Sequence, residues 1–198
     1  MFGNFGNGFD GELPEVLNGV FTARDAVPDP RKETFCGMLK NSFFPNLTWT
    51  SFVTIVSIVD IVVFLAFVVI SCLFHDGLLP SVFLGPQLEA YRLFDKAPEL
   101  MQRELQVWRF VTPIFIHIGF SHLVFNVITQ IIFGSLLEQM VGFGQMAGVY
   151  LISGFGGILF SSLLRDKRSV GASTADFGIF TGMLAVILVN WGAFDGND

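Results

Sequence analysis

The sequence predicts an all-α membrane protein, and three observations support that fold class. Hydrophobic residues make up 52% of the 198 positions and charged residues only 14%, against about 25% charged residues in a soluble domain. The mean hydropathy is +0.63. Apolar residues gather in four runs separated by polar stretches, which is typical of helices that cross a bilayer. We therefore predict a helical bundle with four transmembrane helices in this chain.

The first part of the chain differs in composition from the rest. It begins "FGNFGNGF" and continues with turn-rich "AVPDPRKE", without the apolar core of a signal peptide. We predict a polar, largely irregular tail over 1–48 and a membrane domain over 49–198. The formal net charge of −6 disfavours nucleic acid as a partner. The lipid bilayer is the expected surrounding, and the protein is predicted to be an integral, multi-pass membrane protein.

The apolar runs place the membrane spans at about 51–74, 119–139, 145–164 and 174–191. The first span contains one charge, Asp60, which should face other helices or water because a carboxylate in lipid is costly. We interpret Asp60 as a packing or capping contact. A polar connection over 75–106 joins the first two spans, and loops of this length are often functional.

Ser173 is the first candidate for chemistry, because it lies where the last apolar run begins. Gly171 and Ala172 precede it and allow a close backbone approach. The free N–H groups at a helix start favour negative charge, so an oxyanion formed there would be stabilised. The structural alternative is that Ser173 caps the helix, with Asp176 completing a capping box.

His122 and Asn126 form the second candidate, four residues apart and therefore on one helix face. Polar side chains inside a membrane usually face the bundle interior and often mark a functional site. Both side chains can donate a hydrogen bond to an oxyanion. The alternative is that they hold neighbouring helices together by hydrogen bonds.

Two stretches together resemble the rhomboid intramembrane serine proteases. "WRFVTPIFIHIGFSHLVFN" resembles the Trp-Arg loop of that family followed by its His-x4-His-x3-Asn helix. "YLISGFGGILFSSLLRDKRSVGASTADFG" resembles the third span and the Gly-x-Ser motif at the start of the fourth. The resemblance covers roughly 108–191. It implies a rhomboid-like bundle of which this chain holds spans one to four, out of a six- or seven-span fold.

The resemblance also implies roles for individual residues. Ser173 matches the nucleophile, and His122 and Asn126 match the pair that stabilises the oxyanion. Gly171 matches the glycine that shapes the active-site loop. Phe177 falls where the family has an aromatic residue against the catalytic imidazole. Structural positions of the loop and second helix are matched by Trp108, Arg109, His117 and Glu138.

Three departures separate this chain from the family pattern. Thr174 follows the serine where the family usually has glycine, so its branched side chain is expected to crowd the substrate. Asp176 stands where an apolar residue is usual, and a carboxylate one turn from the serine would oppose an oxyanion. The family's base is a histidine on the sixth span. This chain has only His75, His117 and His122, so we expect the 198 residues alone to be inactive.

The resemblance therefore leaves two functions open. The first is a rhomboid-like serine endopeptidase that cleaves transmembrane segments, with the base histidine lying outside an incomplete chain. The alternative is a catalytically inactive relative that acts as a binding or assembly subunit. The expected partners are transmembrane helices of substrates or of partner subunits. Neither function requires a cofactor or a metal, and the sequence does not identify the membrane.

Overall fold

The computed structural model describes residues 48–80, 83–164 and 167–191. Except for Thr48, the predicted tail over 1–48 lies outside the described residues. Most of the described chain is helical, and we number the α-helices in order. They are α1 (Phe52–Phe74), α2 (Leu88–Tyr91), α3 (Pro98–Arg103), α4 (Phe120–Val141), α5 (Phe143–Leu164) and α6 (Ser173–Val189).

Helix α1 begins where polar groups satisfy its first free N–H groups. The Ser51 hydroxyl accepts a hydrogen bond from the Thr54 amide at 3.3 Å. The Glu138 carboxylate of α4 accepts bonds from the amides of Phe52, at 2.7 Å, and Val53, at 3.0 Å. The first turn of a helix has no internal partners for these donors. The serine and the carboxylate therefore fix the start of α1 and join it to the far end of α4.

Helix α4 changes its winding midway. It is α-helical over Phe120–Thr129, π-helical over Gln130–Gly134 and α-helical again over Ser135–Val141. A π-helical turn inserts one extra residue per turn and often occurs at functional sites. Here it lies beside α1, since a Cβ built on Gly134 would come within 2.9 Å of the Val53 side chain.

Helices α5 and α6 approach each other closely through glycines. A Cβ built on Gly157 of α5 would lie 2.6 Å from the Thr174 Cβ, and one built on Gly178 of α6 would clash with Ser153. Small residues at such positions let helices in a membrane approach to backbone distance. The core formed around them contains the fully buried residues Val53, Ile114, Met146, Tyr150, Ala175 and Ile179.

Three of the described helices, α1, α4 and α5, are long and apolar enough to cross a membrane. The fourth predicted span corresponds to α6, which has 17 residues. At 1.5 Å per residue α6 is about 25 Å long, less than the roughly 30 Å of a bilayer core. The described part of α6 is thus shorter than a full span, whereas the sequence analysis counted it as the fourth transmembrane helix.

The connection over 75–106 has more structure than the sequence indicated. It contains an antiparallel pair of two-residue strands, β1 (Leu78–Leu79) and β2 (Gly85–Pro86), followed by α2 and α3. Two 3₁₀ turns, Val107–Phe110 and Thr112–Phe115, then lead to α4. The elements are too short to show a hydrophobic period, which is why sequence patterns did not reveal them.

Candidate active site

Ser173 is the first residue of α6, and its hydroxyl does not cap the helix. The residue at the N-cap position is Ala172, and no side chain caps this end. Both Asp176 carboxylate oxygens are buried and, within the described residues, have no hydrogen-bond partner. The capping-box interpretation is therefore wrong. Ser173 is exposed, and the first N–H groups of α6 are free of intrahelical partners, as at any helix start.

The loop before α6 lies directly on the imidazole of His122. A Cβ built on Gly171 would come within 2.5 Å of the His122 Cε1 atom and 3.0 Å of its Nε2 atom. Gly171 also has φ of +131°, which a residue with a side chain rarely adopts. Its amide donates a hydrogen bond to the Pro113 carbonyl at 2.8 Å. Only glycine suits this position, and it brings the segment two residues before Ser173 against α4.

His122 and Asn126 do not act as hydrogen-bonding links between the described helices. Asn126 is buried, and its Nδ2 atom has no partner within the described residues. The same holds for Nδ1 of the half-buried His122. The expected alternative of interhelical hydrogen bonds is therefore wrong for this part of the chain. Buried polar atoms without partners are uncommon and call for an explanation.

His117 lies in the segment before α4, with its ring 5.3 Å from the ring of His122 in an edge-to-face arrangement. Its side chain is almost fully buried. Burial and, to a smaller extent, the neighbouring His122 lower the pKa of His117 to about 3. His117 is consequently neutral at pH 7 and is a weak proton acceptor there.

The comparisons with known proteins agree on one family. A family model described as "Rhomboid domain" matches residues 104–197. RHOMBOID-like protein 6, mitochondrial, of Arabidopsis thaliana is 43% identical over 113 residues, which are 55% of this chain and 36% of that protein. Rhomboid-like protease 3 of Toxoplasma gondii is 32% identical over 153 residues, which are 77% of this chain and 54% of that protein.

The chain belongs to the rhomboid family. It is an integral membrane protein with an all-α fold, as the composition predicted. RHOMBOID-like protein 5 of Arabidopsis thaliana is similar over 134 residues at 34% identity, covering 66% of this chain and 43% of that protein. This rhomboid chain spans between about a third and a half of the length of these three relatives. No solved structure matches it.

The rhomboid Trp-Arg pair anchors the connection between α1 and α4. The Trp108 indole donates a hydrogen bond to the Leu93 carbonyl at 3.0 Å. The Arg109 guanidinium is buried and forms an ion pair with Asp95 at 2.6 Å. It also donates to the carbonyls of Arg92 and Asp95 and to the Gln106 side chain. Through these contacts, the Nε and Nη1 atoms of Arg109 hold the connection together.

Two residues near Ser173 depart from the rhomboid pattern, and the side chains of both, Thr174 and Asp176, point into the bundle. The Thr174 side chain occupies the notch that Gly157 leaves in α5, which places it against a neighbouring helix. The expectation that it crowds the substrate stays a prediction. Asp176 is buried and interacts electrostatically with Asp60 of α1. The Asp60 carboxylate accepts a hydrogen bond from Gln130 at 2.8 Å, and Gln130 also donates to the Tyr150 hydroxyl at 3.1 Å.

Phe177 and Ser173 lie on the exposed face of α6. Phe177 is 68% exposed, and its ring is 6.5 Å from Phe180 on the same helix. Its expected contact with a catalytic imidazole stays a prediction.

The sequence reasoning did not identify Asp95, Lys96 or Arg168, which hold the loop before Ser173. Charged residues in two irregular segments carry no local signal that they meet.

Proposed function

We propose that this rhomboid chain is the nucleophile-bearing part of an intramembrane serine endopeptidase that cleaves transmembrane segments of other proteins. One observation carries the proposal. The segment leading to Ser173 is seated on His122 through Gly171, while buried polar atoms of His122 and Asn126 lack partners within the described residues. Acyl transfer needs a hydroxyl nucleophile near hydrogen-bonding groups that are free to bind an oxyanion, and the contact of Gly171 with His122, two residues before Ser173, supports such an arrangement.

In the proposed mechanism, the Ser173 Oγ atom attacks the carbonyl carbon of a peptide bond in an unwound substrate helix. The negative charge that develops on the carbonyl oxygen is stabilised by the Ser173 N–H, His122 and Asn126. The serine proton passes to a base and then to the leaving amine, and water hydrolyses the acyl-enzyme in a second step. This chemistry uses only protein groups and water, so no cofactor or metal takes part.

The base is proposed to be a histidine outside these 198 residues. Among the histidines in the chain, His122 is assigned to the oxyanion, and the pKa of about 3 makes His117 a poor proton acceptor at neutral pH. His75 follows the last residue of α1, in the connection that joins the first two long helices. A serine hydroxyl is a weak nucleophile until a base accepts its proton.

Cleavage by the natural protein in proteoliposomes tests the proposal, with fluorescently tagged single-span proteins as substrates. Ser173→Ala should abolish cleavage, a loss of roughly 10⁴-fold or more. Ser169→Ala is the matched control, because this nearby serine is exposed and its hydroxyl makes no hydrogen bond to the described residues. We expect Ser169→Ala to cleave at the unmodified rate. Cleavage that persists in Ser173→Ala would reject the proposal.

The second candidate function is an inactive rhomboid that binds partner helices. Asp176, one turn after Ser173, favours it, because an ionised carboxylate within one helical turn of the serine would oppose an oxyanion even from the buried side of α6. If this function is correct, the unmodified protein cleaves no substrate in the same proteoliposomes. It should then capture single-span proteins equally well with Ser173 or with alanine at that position.

A further inference from the structure

The loop that precedes Ser173, residues 168–172, makes three contacts with the segment between α1 and α4. Arg168 forms an ion pair with Asp95 at 3.1 Å. Ser169 exchanges two backbone hydrogen bonds with Lys96, at 3.0 and 3.3 Å. The Gly171 amide donates to the Pro113 carbonyl at 2.8 Å. Three successive contacts thus fasten the loop to elements that are more than 50 residues away in the sequence.

Asp95 is the charged centre of these contacts. Its side chain is only 1% exposed, and its carboxylate accepts hydrogen bonds from both Arg109 and Arg168. Arg109 is equally buried, whereas the Arg168 side chain is 34% exposed. Burial raises the pKa of Asp95, and the Arg168 and Arg109 guanidinium groups oppose that shift. One carboxylate therefore joins the buried Arg109 to the loop that ends at Ser173.

We propose that Asp95 and Arg168 are positioning residues that set the place of Ser173 relative to His122. This inference rests on the proposed function. Arg168 lies five residues before Ser173. The backbone hydrogen bonds of Ser169 and Gly171 fix the rest of the loop between Arg168 and the serine. A displacement of about 1 Å in a reacting group can lower a rate by about 100-fold. Charge-assisted hydrogen bonds at a buried carboxylate restrain such displacement better than neutral ones.

Cleavage kinetics test the role of Arg168, with Lys167→Gln as the matched control. Lys167 is adjacent and exposed, and it makes no ion pair or hydrogen bond with the described residues. Both substitutions remove one positive charge and leave the same amide. We expect Arg168→Gln to lower kcat about 10-fold with KM unchanged, and Arg168→Lys to restore part of that loss. Lys167→Gln should leave both constants unchanged. Equal effects of Arg168→Gln and Lys167→Gln would overturn the inference.

Hydrogen exchange of the backbone amides tests the same contacts without requiring activity. In Arg168→Gln and in Asp95→Asn, the amides of Ser169 and Gly171 should exchange about 10-fold faster, while those of α5 keep their rates. Unchanged exchange at both amides would contradict the positioning role. If the unmodified protein does not cleave, the proposed protease function fails, and the exchange rates alone then decide whether Asp95 and Arg168 hold this loop.

Discussion

Two regions of the bundle bury polar side chains in opposite ways. At one end of α4, both oxygens of Glu138 accept backbone N–H bonds from the start of α1. At the other end, atoms of His117, His122 and Asn126 are buried without partners in the described part of the chain. A buried polar group that has its hydrogen-bond partners stabilises the fold, whereas one without partners lowers the free energy of unfolding. The Glu138 carboxylate thus contributes to folding, although the adjacent Gln139 also has a buried side-chain oxygen without a partner among the described residues. The proposal that the His122 end of α4 binds a substrate stays a prediction.

The largest expected effect is on activity, at the unsatisfied end. Asn126→Ala should lower kcat by about 10²- to 10³-fold, the usual cost of removing one oxyanion donor. Its unfolding temperature should change little, because Asn126 makes no hydrogen bond to the described residues. Asn190→Ala is the control, since among the described residues the Asn190 side chain donates a hydrogen bond only to the Val186 carbonyl, near the far end of α6. A cleavage assay paired with thermal unfolding in detergent micelles measures both quantities.

Gly171→Ala should affect both stability and activity. The added methyl group would collide with His122, and φ of +131° is unfavourable for alanine. We expect a loss of about 1–3 kcal/mol in the free energy of unfolding and a fall in kcat. Gly156→Ala is the control, because a Cβ there meets nothing within 4 Å and alanine suits a helix interior. Equal stability of the two variants would contradict the close contact between Gly171 and His122.

Glu138→Ala should affect stability with little direct effect on the chemical step. The substitution leaves the amides of Phe52 and Val53 without their acceptor, at a cost of about 1–3 kcal/mol in the free energy of unfolding. Glu99→Ala is the control, because the Glu99–Arg103 pair is exposed and such pairs contribute about 0–1 kcal/mol. A large fall in kcat at unchanged stability would show that the comparison between the two ends is wrong.

The smallest expected effect is a coupling free energy of about 1 kcal/mol between Thr174 and the notch that Gly157 leaves in α5. Gly157→Ala should destabilise the protein by about 1–3 kcal/mol, because the new methyl group collides with Thr174. Combining it with Thr174→Gly should recover part of the loss, with a coupling of about 1 kcal/mol in a double-mutant cycle. Strict additivity of the two changes in unfolding free energy would show that Thr174 does not occupy this notch.

The sequence predicted the features that depend on local composition. The apolar runs revealed the helical membrane fold, and the order of the His122, Asn126 and Ser173 motifs revealed the family. Both expectations are confirmed. The role of Ser173 as nucleophile and those of His122 and Asn126 in the oxyanion site stay predictions, as do the boundaries of the tail and the membrane domain.

The sequence could not predict contacts between distant segments. The meeting of Asp95 with Arg168 joins residues 73 positions apart, and neither lies in a periodic segment. The capping interpretation of Ser173 was wrong. A serine before an apolar run is typical of an N-cap, but in the structure Ala172 occupies the N-cap position of α6. The electrostatic interaction of the buried Asp176 with Asp60 depends on how α6 and α1 are arranged in the bundle, which no pattern within either helix determines.

The central claim is that Ser173 is an activated nucleophile beside His122, and labelling with a fluorophosphonate probe tests it most directly. The natural protein, in a membrane or in mild detergent, should acquire one covalent adduct that peptide mapping places on Ser173. The label should disappear in Ser173→Ala and persist in Ser169→Ala. An adduct that survives in Ser173→Ala, or that maps to another residue, would contradict the account.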